Sequence, residues 1–264
     1  MGRISEKFIA LQARNEKALI VYLTAGDPSL AKTRELILEL EKAGADMIEI
    51  GVPFSDPTAD GPVIQAAAQR ALKNGTTLAG VLAMIAELRR VSAIPVLLFG
   101  YYNPIFACGP EKFAAAAREA GADGLLVVDL PPEEAAELRV HTDAAGLDFI
   151  SFVAPTTGRD RLKTILRTAA GFLYYISITG VTGTAAPKIE DLARDVAKIR
   201  RLTKMPIAVG FGITNAAQAE AIGAVADGVV IGSAVVKLID EHHNHPDLLA
   251  VVSRYIGGIK AALR

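Results

Sequence analysis

Glu49 sits in Asp46-Met-Ile-Glu-Ile-Gly51, where Met47, Ile48 and Ile50 surround it with apolar residues on both faces of any strand. A carboxylate there occupies a position that a parallel strand buried on both sides would fill with Val or Ile. Burial raises a carboxyl pKa and so lets a glutamate hold and donate a proton near neutral pH. The alternative is a structural glutamate tied to an Arg or Lys elsewhere, and spacing does not separate the two. Downstream, Pro53-Phe-Ser-Asp-Pro-Thr-Ala-Asp60-Gly-Pro62 is turn-rich and carries two more carboxylates. By residue type Asp60 is a helix N-cap ahead of Pro62, and Asp27-Pro28 and Asp56-Pro57 are turn formers.

Other segments bring different chemistry. Gly210-Phe-Gly212-Ile and Ile231-Gly232-Ser233 each lead directly into a helical pattern. Glycine lets backbone N–H groups approach an anion and the helix N-terminus favours negative charge, so a phosphate is expected there; tight turns alone are the alternative. Ser177 to Pro187 is long, small-residued and glycine-hinged, either a lid with Thr182 as its inward hydroxyl or a passive surface loop. Asp129 is either a supporting polar partner or a ligand contact. Lys188 reads as a solvated loop charge. His242, His243 and His245 lie beside Pro246 and read as a solvated turn rather than a metal site, and Cys108, in a glycine-bounded loop, has no neighbouring His or Lys to activate it. No apparent strand ends in His or Cys, and none carries a lysine, which disfavours zinc, iron and Schiff-base chemistry.

The elements that must position these groups repeat along the chain. Helical stretches close on an Ala-Gly pair or similar, an Asp or Pro follows, and a short apolar strand begins, as in Ala43-Gly-Ala-Asp-Met-Ile and Ala120-Gly-Ala-Asp-Gly-Leu. Strands are expected near 18–23, 46–50, 94–99, 123–128, 148–152, 172–177, 206–209 and 228–231. Helices are expected near 30–43, 62–72, 78–90, 110–120, 132–145, 159–169, 189–202, 214–222 and 233–262 with a break, after a polar helix within 1–17. Alternation at about 33 residues per unit points to an α/β fold, a (β/α)8 barrel with an extra N-terminal helix, formed by residues 1–264 as a single domain; such a barrel places its site at the strand C-terminal ends. At 264 residues, 51% hydrophobic and a net charge of -1, with no basic run and one cysteine, the chain offers little to nucleic acid or a membrane surface, and no disulfide. It has no apolar stretch of spanning length and no signal core at its start, so a cytoplasmic setting is expected.

The run Ile48-Glu-Ile-Gly-Val-Pro-Phe-Ser-Asp-Pro-Thr-Ala-Asp-Gly-Pro-Val-Ile-Gln65 closely resembles the signature of the tryptophan synthase α subunit. Thr24-Ala-Gly-Asp-Pro, Tyr101-Tyr-Asn-Pro, Val127-Val-Asp-Leu-Pro, Ser177-Ile-Thr-Gly-Val-Thr-Gly and Gly210-Phe-Gly-Ile match in order, over nearly the whole chain. The resemblance implies a (β/α)8 lyase that cleaves indole-3-glycerol phosphate to indole and glyceraldehyde 3-phosphate. It also implies a β subunit partner, as in an α2β2 assembly, which carries pyridoxal phosphate, with no cofactor or metal on this chain. By the same match Glu49 and Asp60 are the catalytic carboxylates, which shifts Asp60 from cap to catalyst. Tyr22, Leu126, Tyr174, Thr182 and Phe211 border the substrate, and Gly183, Gly212, Gly232 and Ser233 hold its phosphate. The loop with Pro53 and Asp56 and the one after the sixth strand would face the β subunit. The chain departs from other members at Ile178-Thr179, where some carry an arginine. A freestanding lyase, a non-catalytic activator subunit, and a flavin or sugar-phosphate barrel are the competing possibilities.

Overall fold

The computed structural model describes residues 2–176, 188–210 and 212–264. In chain order its elements are α1 (Arg3–Ala13), β1 (Ala18–Thr24), α2 (Leu30–Ala43), β2 (Met47–Gly51), α3 (Pro62–Lys73), α4 (Leu78–Leu88) and β3 (Val96–Gly100). Then come α5 (Tyr102–Cys108), α6 (Pro110–Ala120), β4 (Gly124–Val127), α7 (Ala136–Ala144), β5 (Asp148–Phe149), β6 (Ser151–Val153), α8 (Arg159–Leu166) and β7 (Leu173–Ile176). The chain ends with α9 (Ile189–Arg200), β8 (Ile207–Gly210), α10 (Ala216–Gly223), β9 (Gly228–Ile231), α11 (Ser233–His242) and α12 (Leu248–Ala261).

All pairings are parallel, in the order β5-β4-β3-β2-β1-β9-β8-β7-β6. The two outermost strands, β5 and β6, are halves of the single strand expected at 148–152, so Ile150 closes the ring covalently into a (β/α)8 barrel. β5 hydrogen-bonds to β4 through Gly124 and Leu125, and from Ser151 onward the chain pairs with β7 instead. Gly124 allows that tight base, since a Cβ there would lie 2.4 Å from the Asp148 carbonyl oxygen.

Strand alternation sorts the core into two shells. Leu19, Ile48, Val96, Leu125, Val209 and Val229 face the helices; Ile20, Met47, Leu97, Leu126, Tyr174 and Val230 fill the barrel. α1, expected to be a polar helix, is instead amphipathic. Ile4, Phe8 and Leu11 form a buried stripe one helical turn apart that seals the base of the barrel, with the Phe8 and Phe172 rings 5.6 Å apart.

The repeated Gly-Ala-Asp motif has a second use beyond ending helices. Gly44 and Gly121 take the left-handed conformation, with φ of 107° and 91°, that stops α2 and α6. The aspartate two residues on then reaches sideways: Asp46 accepts from the Leu19 amide at 2.9 Å and Asp123 from the Val96 amide at 2.8 Å. Asp227 does the same for Ile207 at 2.9 Å. Each carboxylate therefore holds the first or second amide of a neighbouring strand and fixes the barrel's register from below.

One helix went unread. No helix was expected at α5, and Cys108, placed in a glycine-bounded loop, is the last residue of that helix instead. Pro104 is tolerated because it falls in the first turn, where no amide has an intrahelical acceptor.

Candidate active site

β2 presents Glu49 to the barrel interior, in register with Tyr22 on one side and Leu97 on the other. Glu49 is only 1% exposed, and its Oε1 has no hydrogen-bond partner among the described residues. No arginine or lysine pairs with it there, so nothing supports the structural glutamate that composition left open. Burial alone pushes its carboxyl up to about 8, so it holds its proton at neutral pH. The phenols of Tyr22 and Tyr174 are buried with it. Both are pushed upward by desolvation first and then, in part, by the charge of Glu49, so the three groups face one another.

Two glycines make room for those rings. A Cβ on Gly51 would lie 2.0 Å from the Tyr22 hydroxyl oxygen, and one on Gly210 would lie 2.3 Å from that of Tyr174. Around the same level runs a belt of aromatic contacts, Tyr22 to Phe99 at 5.3 Å, Phe99 to Phe152 at 6.4 Å and Phe152 to Tyr174 at 5.1 Å. Leu126 lies in the buried cluster beneath it. These flat walls suit a planar aromatic ligand.

Asp60 does not cap α3. Gly61 holds the N-cap position, and no side chain caps that helix. The half-buried Asp60 carboxyl is pushed up to about 6 by desolvation, opposed by a hydrogen bond with Tyr101, and its charge in turn raises the Tyr22 phenol. Its loop is held from two sides. The Ala59 amide donates to the Tyr101 hydroxyl at 3.0 Å, and Gln65 Nε2 donates to the Asp60 carbonyl at 2.8 Å. Tyr101, which residue-type reasoning missed, also stacks near Phe54, with rings 5.3 Å apart. Its one sequence signal is its place just after β3, where every barrel strand faces the site.

At the β9 end, Gly232 precedes Ser233, the first residue of α11, and a Cβ on Gly232 would sit 3.4 Å from the Tyr22 Cβ. Gly212 takes a positive φ of 76°. The α11 N-terminus thus opens beside Tyr22 with its first amides free of intrahelical partners. Thr182, Gly183 and Phe211, with Ile178 and Thr179, lie outside the described residues.

The other candidates resolve into support. Asp129 accepts from the Tyr102 amide at 2.8 Å and so anchors the start of α5. Asp27 is not merely a turn former: both its oxygens receive Arg70, at 2.9 and 2.7 Å. Lys188 is exposed at the N-cap of α9. His242 and His243 engage carbonyls of their own helix, those of Leu238 and Asp240.

The family model of the tryptophan synthase alpha chain matches residues 8–263. A tryptophan synthase alpha chain of Citrifermentans bemidjiense is 50% identical over 264 residues, covering 100% of this chain and 97% of that protein. The crystal structure of tryptophan synthase subunit alpha from Legionella pneumophila superposes with a TM-score of 0.92 at 38% identity, covering 100% of this chain and 98% of that one. A chain of aminoacrylate-bound tryptophan synthase from M. tuberculosis does so with a TM-score of 0.89 at 31% identity, each chain covered in full. With a family match over nearly all its residues and a half-identical relative of nearly the same length, the chain belongs to the tryptophan synthase alpha chain family.

Proposed function

We propose that the chain cleaves indole-3-glycerol phosphate to indole and glyceraldehyde 3-phosphate, a step of tryptophan biosynthesis, with Glu49 and Asp60 as its two catalytic carboxylates. The observation that carries this is Glu49 itself: a buried carboxyl whose Oε1 has no hydrogen-bond partner among the described residues, held protonated near pH 7 beside two phenols. The reaction is a retro-aldol cleavage. Glu49 delivers its proton to indole C3, then as a carboxylate takes the proton of the hydroxyl on the adjoining glycerol carbon. That carbon becomes an aldehyde, the electrons of the broken C–C bond return to the ring, and Glu49 ends as it began. Asp60, mostly ionised at pH 7, faces the indole N–H and stabilises the positive charge that protonation creates.

Tyr22, Leu126 and Tyr174, with Phe211, form the slot for the indole ring, and Thr182 also contributes to substrate binding. Gly183, Gly212, Gly232 and Ser233 bind the phosphate, for which the α11 N-terminus is electrostatically suited. The partner is a tryptophan synthase β subunit in an α2β2 assembly, which holds the pyridoxal phosphate; this chain works without a cofactor. Docking at the barrel mouth is supported by the exposed Asp56 and by Phe106, 58% exposed with its ring 5.9 Å from that of Tyr102. Residues 1–264 act as one domain in the cytoplasm. No helix among the described residues is long and apolar enough to cross a membrane.

The test is the rate of indole release against pH, with the β subunit present. Activity requires Asp60 ionised and Glu49 protonated, so kcat/KM rises with pH through about 6 and falls through about 8. Asp60→Asn is expected to lower kcat/KM by about 10²–10³-fold, the range for loss of one preorganised electrostatic contact, and to abolish the acid limb. An Asn variant that keeps the acid limb would return Asp60 to a structural role. Gly210→Ala forces the Tyr174 ring to move, and a displacement of that size near the reacting centre is expected to cost about tenfold or more in kcat/KM. Its far-ultraviolet spectrum should stay that of the wild type; unchanged kinetics would remove Tyr174 from the substrate wall. Strong stimulation by β separates an α subunit from a freestanding lyase, which would be fully active alone.

A further inference from the structure

The bend at Ile150 leaves a second opening on the outside of the barrel. Because β5 pairs with β4 only as far as Phe149 and β6 joins β7, the upper part of β4 has no strand beside it there. A cavity of about 290 Å³ fills the gap between α7 and α8. Its walls include Val127, Pro131, Phe149 and Ile165, and the basic groups reaching it are Arg139 and Arg161.

Arg139 is unusual. Its side chain is only 13% exposed, its Nη2 lies 3.2 Å from both Asp143 oxygens, and its guanidinium carbon stands 5.2 Å over the Phe149 ring. Nη1 is buried with no acceptor among the described residues. A charged donor taken out of water without an acceptor is costly, and a guanidinium offers a carboxylate paired, directional N–H groups. The nearby acids are already engaged. Asp143 serves Nη2, Glu133 binds Arg161 at 2.8 Å, and Asp129 holds the Tyr102 amide.

We propose that this cleft binds a small organic carboxylate with a flat apolar body, its carboxylate on Arg139 Nη1 and its body against Phe149 and Ile165. The single unpaired, buried donor and the apolar walls suit a monoanion of one or two rings rather than a phosphate. The site is distinct from the barrel interior, because Phe149 and Val127 face the helices whereas Glu49 and Tyr22 face inward. Phe152 borders both, since it lines the cleft and its ring packs on Tyr174.

The test uses benzoate and its neutral isostere benzamide on the full chain, followed by amide chemical shifts in NMR. Benzoate should shift the amides of Leu138, Phe149 and Ile165 saturably, with benzamide at least about tenfold weaker, the loss expected for one charge-assisted pair. Arg139→Gln should weaken benzoate by about the same factor, and saturating glycerol phosphate, a probe for the barrel mouth, should leave it in place. The proposal is overturned by any of three results: no saturation up to about 50 mM, where even a weak fragment of this size would register; equal binding of benzamide; or displacement by glycerol phosphate with shifts at Gly232 and Ser233. If Arg139→Gln does not fold, the benzoate to benzamide ratio on the wild-type chain decides.

Discussion

Glu49→Gln is expected to lower kcat for indole release by about 10²–10⁴-fold, the range for loss of a general acid–base group, with KM nearly unchanged. Glutamine keeps the shape of the side chain and cannot exchange a proton. The same substitution carries a second, opposite readout. Wild-type Glu49 titrates near 8 when folded and near its ordinary value of 4.5 when unfolded. Between those limits the folded state holds a proton that the unfolded state has lost, so stability falls as pH rises from about 4.5 and levels off above about 8. Glutamine has no proton to lose. The variant should therefore match the wild type near pH 4.5 and become progressively the more stable of the two toward pH 8, as measured by urea midpoints at each pH. An inactive variant that is also less stable at pH 8 would mark Glu49 as a structural group whose partner had been missed.

That contrast, activity against stability, separates Glu49 from the other buried acids. Asp27, Asp46 and Asp123 are as deeply placed, and each is met by a cation and, in two cases, by a strand amide. Only Glu49 among these four lacks such a partner. From the sequence all four were carboxylates near an apolar run: Asp46 and Asp123 opened expected strands, Asp27 followed one, and only Glu49 stood in the middle of one. Position within the strand was legible because side chains alternate with a period of two; partners were not, because they come from 27 to 214 residues away.

The repeating helix-to-strand motif was legible for the same reason. Each unit is specified locally, by an apolar strand, a cap and a punctuating glycine, and α2 and α6 end where Gly44 and Gly121 stand. What escaped depends on distant packing. The split at Ile150 arises from competition between β4 and β7 for one strand, and the apolar stripe of α1 makes sense only once a barrel base exists to receive it. Tyr101 was hidden because it acts through a loop 42 residues earlier. Gly51 drew no reading and Gly210 was read for a phosphate, whereas both leave space for phenols on β1 and β7.

The base of the barrel should prove as sensitive in stability as Glu49 is in activity. Lys260, 4% exposed on the last helix, donates to Asp46 at 2.8 Å and to the Lys17 carbonyl at 3.0 Å, and pairs with Glu16 at 3.3 Å. Its stem crosses Gly44, where a Cβ would lie 2.8 Å from the Lys260 Cγ. One side chain thus ties α12 to the entry of β1 and to the turn before β2, joining the last helix to the first strands. Lys260→Met retains the apolar stem and removes the charge, leaving Asp46, whose side chain is 8% exposed, with the Leu19 amide as its one remaining donor among the described residues. Breaking a buried pair by removing one member is expected to cost about 3–5 kcal/mol, because the other charge stays buried without compensation. The midpoint of urea unfolding should fall with its slope unchanged, while the folded fraction keeps the wild-type kcat, since this cluster lies at the opposite end of the barrel from Asp60. Adding Asp46→Asn removes the stranded charge and should recover part of the loss, a coupling that a double-mutant cycle reads directly. A cost under about 1 kcal/mol for Lys260→Met would mean that solvent reaches Asp46 and that the ring is held by its strands alone.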